Sequence, residues 1–243
     1  MTEQEWISST GPNAMLSFLQ GKASDRQLRL FIANYCRRSW HLIPDERCRK
    51  AIEVAELSAD GQVGDEELLR VYVEMWQIQS NSQGGTTPRI VADSCRRAVR
   101  PSGRITARIV GMAAENLARV VAEGSGGESE RGAWGEASRA AWEAERRVVV
   151  DLLHDIFGNP FWPPAIDPVW LTCNEGTVKH LAKAAYEHRQ LPSGDLDPGR
   201  LAVLCDALED AGCPPDHELL LHLRGSGAHV RGCWAVDTVL ARR

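Results

Sequence analysis

Five residues with metal-binding side chains crowd into one C-terminal stretch: Cys205, Cys213, His222, His229 and Cys233. Thiolates and imidazoles in that number are the usual donors of a zinc site. Such sites commonly start from a close pair, two cysteines separated by two residues, because one tight turn then aims both sulfurs at one ion. The stretch contains no such pair. Cys205 also shares a helical face with Leu201, Leu204 and Leu208, so it reads as core. Cys36 and His41 lie five residues apart on an expected helix and would point about 140° apart. Spacing therefore predicts buried, reduced thiols and no metal site.

A second candidate is the dipeptide His154-Asp155 at the end of an apolar helix. Adjacent histidine and aspartate serve as metal ligands in HD-type phosphohydrolases, where the metal activates water. That chemistry needs a further His and Asp, and no upstream histidine stands in a partner motif. On a helical wheel Val148, Val149, Val150, Leu152, Leu153, Ile156 and Phe157 cover one arc. Asp151, His154 and Asp155 share the other, which reads as a solvated face. An HD-like hydrolase using His154 and Asp155 is kept as an alternative.

A third candidate is a run of arginines. Arg89, Arg96, Arg97, Arg100, Arg104, Arg108 and Arg119 face only Asp93 and Glu115 over residues 86–121, so the local balance is 7 − 2 = +5. Arg96, Arg97, Arg100, Arg104 and Arg108 would form the core of any phosphate or nucleic-acid site. Few aromatics interleave to stack bases. A solvated arginine face, or one paired with acidic helices, is the preferred reading. The glycine-rich GSGG and GSG lack the Lys-Ser/Thr of a phosphate loop. DGQVGDEE lacks the alternating acids of a calcium loop. No G-x-S-x-G elbow presents a nucleophile. The motifs imply no cofactor.

Helices must position these groups. Thr2 with Glu5 and Ser24 with Gln27 have capping-box spacing, placing helix starts at Glu3 and Asp25. Apolar periodicity extends the second to Ile43, before Pro44. Further helices are expected over 45–59, 65–79, 89–99, 104–123, 133–157, 175–189, 198–211, 216–224 and 229–242. No segment reads as a strand. Flexible breaks are expected near 80–88 and 124–132. GNPFWPPAIDPVW (158–170) holds four prolines and reads as a rigid, aromatic-rich loop rather than regular helix. Trp162 and Trp170 lie in it, either docked inward as a clasp or exposed for a partner. The expected fold is all-α, an irregular multi-helix array, with an N-terminal region 1–157 and a C-terminal subdomain 158–243.

Composition narrows the function classes. The chain has 243 residues, 43% hydrophobic and 25% charged, enough to bury a core without metal or disulfide. A net charge of −5 gives no global attraction to nucleic acid or anionic membranes. MTEQEWISS is not a secretory signal, and no apolar run is long enough to span a bilayer. Seven cysteines without tidy spacing fit a reduced, cytoplasmic setting.

DALEDAGC (206–213) and HVRGCWAVD (229–237) resemble a family of uncharacterised bacterial paralogues. DIFGNPF (155–161) and SDRQLRLFIANYCRRSWHL (24–42) are similar to the same family. The resemblance covers much of the chain, apart from 80–147, and implies no activity, substrate or cofactor.

The expectation is thus a helical interaction or scaffold module without a catalytic site, acting on an unidentified protein partner. Within the expected helix 229–242, Val230, Cys233, Trp234, Val236, Val239 and Leu240 form an apolar arc, with Arg231 and Thr238 opposite. Asp237 falls inside that arc. A carboxylate there must be a hydrogen-bonded structural anchor.

Overall fold

The structure, a computed structural model, describes residues 1–81, 86–125, 135–162 and 164–242. The fold is all-α. Among the described residues, the one pairing of extended backbone is an isolated antiparallel bridge between Asp195 and Val230. No described helix is long and apolar enough to cross a membrane. The chain forms two compact units, Met1–Leu153 and His154–Arg243. Of the breaks expected near 80–88 and 124–132, residues 82–85 and 126–132 lie outside the described residues, whereas 80–81, 86–88 and 124–125 are helical.

The first unit contains α1 (Glu3–Ile7), α2 (Pro12–Phe18), α3 (Asp25–Arg38), α4 (Glu46–Ala59), α5 (Asp65–Asn81), α6 (Thr86–Ala98), α7 (Ala107–Ser125) and most of α8 (Glu136–Phe157). Both capping boxes form: Thr2 and Glu5 satisfy each other's amides, as do Ser24 and Gln27. α3 packs against α4, α6 and α7, and every residue from Leu28 to Arg37 is buried. Two arginines are thereby forced inside, and each must be satisfied. Arg29 donates to the Ala98 carbonyl at 2.7 Å. Arg37 makes a two-pronged ion pair with Glu56 at 2.5 and 2.8 Å.

α3 stops at Arg38, short of the expected Ile43. The chain tightens into a 3₁₀ turn over Trp40–Leu42, and Ile43 donates back to Trp40. Helix ends commonly tighten this way because their last carbonyls lack α-helical partners.

The second unit takes the last turn of α8, then α9 (Pro168–Thr172), α10 (Thr177–Glu187), α11 (Pro198–Asp210), α12 (Glu218–Leu223) and α13 (Trp234–Val239). Its core gathers Trp170, Val178, Tyr186, Leu204, Leu208, Leu219, Leu220 and Val236. Two expectations need correction here. Residues 158–170 are not wholly loop, since α9 begins at Pro168. Proline fits a first helical turn, where its missing N–H is not needed, and Asp167 caps the start by accepting from Val169. The same Asp-Pro pairing starts α11 at Asp197 and Pro198.

The second correction concerns 229–242, which is not one helix. The His229 carbonyl accepts from Leu196 at 2.7 Å, and Val230 bridges Asp195. Gly232 then adopts φ 95°, a left-handed conformation that breaks any helix. α13 starts only after Cys233.

Candidate metal centre

Asp155 sits in the last turn of α8, just before Gly158 ends the helix with φ 57°. His222 lies in the last turn of α12, which the His217 ring caps by accepting from Leu219. Buried Leu219, Leu220 and Leu223 fix that helix on the core. His229 and Cys233 flank the turn between the bridge and α13. Asp155, His229 and Cys233 are buried, and His222 is half-buried.

Four donor atoms, one from each residue, lie within 4.8 Å of one another. Asp155 Oδ1 is 3.0 Å from His222 Nε2 and 2.7 Å from His229 Nδ1. Cys233 Sγ is 3.4 Å from the same His222 nitrogen and 3.8 Å from the same His229 nitrogen. The other carboxylate oxygen, Oδ2, accepts from the Val230 amide at 2.9 Å, which fixes the carboxylate's orientation. Trp234 lies over His222 with ring centres 4.9 Å apart. An added Cβ on Gly158 would come within 2.8 Å of the Trp234 ring, so only glycine admits that indole. The remaining ring nitrogen of His229, Nε2, is buried and has no partner among the described residues.

The spacing suits a tetrahedral ion. Zinc–nitrogen and zinc–oxygen bonds near 2.0 Å and zinc–sulfur bonds near 2.3 Å place neighbouring donors roughly 3.3–3.6 Å apart. Of the two sulfur–nitrogen distances, 3.4 Å falls within that range and 3.8 Å lies just above it. The oxygen–nitrogen distances are of hydrogen-bond length and would open by a few tenths of an ångström around an ion.

The arrangement does not suit a Cys–His–Asp nucleophile. A relay needs one ring nitrogen on the thiol and the other on the carboxylate. Here each histidine turns a single nitrogen to both. Burial pushes the Cys233 thiol well above its usual range, and the Asp155 carboxylate pushes it further, against the opposing pull of the Val236 and Ala235 amides. A thiol so held is a poor nucleophile without a metal. Burial also works to raise the Asp155 pKa. Hydrogen bonds from His222 and His229, with their charge, outweigh it and hold the carboxyl below the usual carboxylate range.

On the helical wheel Asp155 shares a solvated face; in the structure it is buried. Of its expected companions, Asp151 is exposed and His154 is half-buried outside the donor group. The His154-Asp155 pair therefore does not act as a unit, and the partners of Asp155 come from far along the chain. Cys205 and Cys213 are core residues. The close pair in the sequence is mixed, His229-x₃-Cys233, rather than two cysteines. That pair was the available signal. Its partner Asp155 left no local one.

Arg96 and Arg97 both hydrogen-bond Asp93 on their own helix, and Arg96 also donates to the Tyr72 hydroxyl at 2.7 Å. Arg100 donates to the Arg104 carbonyl, while the Arg104 and Arg108 side chains are exposed. The seven arginines are thus not one free cationic surface. Trp170 is buried, edge-on to His217 at 5.0 Å, whereas Trp162 is 64% exposed. Asp237 is buried within α13. No family model, curated protein or solved structure matches the chain.

Proposed function

We propose that the second unit binds one zinc ion through Asp155, His222, His229 and Cys233, as a structural staple in a non-enzymatic helical interaction module. The observation that carries the metal reading is convergence: each histidine offers the same nitrogen to the carboxylate and to the sulfur. Four protein donors fill a tetrahedral ion and leave no position for a reacting water, which favours a structural over a catalytic role. Ionised Asp155 and Cys233 would neutralise the dication, with one proton released from the thiol. The ion would tie the end of α8 to α12 and to the turn before α13. An interaction role is supported in the first unit by Leu69, Val73 and Trp76. These residues follow one another at helical spacing on α5 and are each about half exposed.

Metal analysis of the purified full chain tests the metal reading. One zinc per chain, replaceable by cobalt with the strong visible absorption of a tetrahedral thiolate site, is the expected result. A folded protein that takes up neither ion would overturn it.

A further inference from the structure

A cleft of about 560 Å³ opens in the second unit, within the size range of small-molecule sites. One wall is the segment from Asp195 into α11; the other is the loop from Leu223 to His229. Its apolar lining is supplied by Leu196, Leu201 and Leu223, all buried.

Two charged groups at the cleft differ in state. Arg224 is already neutralised, with its two terminal nitrogens on the Glu209 carboxylate at 3.0 and 2.5 Å. The half-buried Asp195 carboxylate has no hydrogen-bond or ion-pair partner among the described residues. Its backbone, by contrast, is fixed. The carbonyl accepts from Gln190 at 2.7 Å, the amide reaches Ser193 Oγ, and the residue bridges Val230. The charge is therefore held in place at the edge of apolar surface, partly stripped of water and without a counter-ion. A cation there gains a charge-assisted hydrogen bond, while an anion is repelled. A single carboxylate offers a metal too few ligands but suits one ammonium group.

We propose that this cleft binds a primary ammonium group carried on an aliphatic body, with Asp195 holding the cation and Leu196, Leu201 and Leu223 covering the chain. A free alkylamine and the lysine side chain of a peptide share that chemistry. The proposal does not depend on zinc, although His229 also lines the cleft.

The test is an NMR titration of the isotope-labelled full chain with n-hexylamine, and with n-hexanol and hexanoate as controls. n-Hexylamine should give saturable shifts at the amides of Leu196, Ser226 and Gly227, and hexanol should bind at least tenfold more weakly. Asp195→Asn should lose at least tenfold in affinity with the remaining spectrum unchanged. Asp195→Glu, which keeps the charge, should stay within a few-fold of the parent. Parallel titration with N-acetyl-lysine N-methylamide separates the sources: tighter binding than n-hexylamine marks a lysine side chain, weaker binding a free amine. Equal binding of hexanol, an undiminished Asp195→Asn, or shifts outside the cleft would overturn the proposal.

Discussion

Asp155 Oδ1 lies 2.7 Å from His229 Nδ1, joining residues 74 positions apart in the chain. The contact is one edge of the four-donor group, and the sulfur of Cys233 lies 3.8 Å from the same nitrogen. A donor set built this way should fail as a set. Cys233→Ser and Asp155→Asn keep size and shape but weaken or remove a charged ligand. Each should lower zinc affinity by more than about 100-fold, beyond the 10–100-fold typical of residues that only orient ligands. Competition against a chelating dye measures this, and parental affinity in both variants would remove Asp155 and Cys233 from the site.

Zinc should also stabilise the fold by mass action. Free ion at about one hundred times its Kd adds about 2.7 kcal/mol to whatever unit it binds. In a unit the size of His154–Arg243 that raises its melting midpoint by roughly 10–20 °C. Calorimetry with and without a chelator reads the shift. A midpoint indifferent to zinc would argue against an ion shared by α8, α12 and the turn before α13.

Gly158 should tolerate no side chain. Alanine there would need a left-handed conformation and would press its Cβ to 2.8 Å from the Trp234 ring. The combined strain and overpacking should cost about 2–4 kcal/mol. Because Trp234 lies over His222, its fluorescence should change as well. Denaturant titration of Gly158→Ala gives both readings, and a variant of parental stability would show that the indole can move aside freely.

In the first unit, acid should weaken the Asp93 pair in a defined direction. Burial pushes the Asp93 carboxyl up, but hydrogen bonds from Arg96 and Arg97, with their charges, bring it below the usual carboxylate range. A depressed pKa contributes stability above the ordinary aspartate range, and that contribution is lost as pH falls through the lowered value. Asp93→Asn should therefore cost about 3 kcal/mol near neutral pH. The gap from the parent should hold between about pH 5 and pH 8 and narrow below about pH 4. A gap that widened on acidification would contradict this assignment.

Local chemistry in the sequence was enough to place much of the helical framework. Thr2 with Glu5 and Ser24 with Gln27 mark true helix starts, because capping acts over three residues. Asp197 before Pro198 does the same for α11. The identical Asp167-Pro168 signal starts α9, but it lies among further prolines that break regular helix, so the segment reads as loop. Periodicity sorted faces poorly where packing was not one-sided. α3 is buried all round, which a one-face wheel does not anticipate.

The sequence by itself determined an all-helical chain, because capping, turn residues and apolar period act within a few residues of one another. It also supplied the donors: two histidines and a cysteine within twelve residues, His222 to Cys233. Only the tertiary structure decided that they meet. The Asp195–Val230 bridge and the positive φ of Gly232 stop the expected C-terminal helix and fold His229 back toward Cys233. Asp155, polar on its wheel, is drawn inside because His222, His229 and the Val230 amide satisfy its oxygens there. Those partners lie 67 to 75 positions away, and no local pattern encodes them.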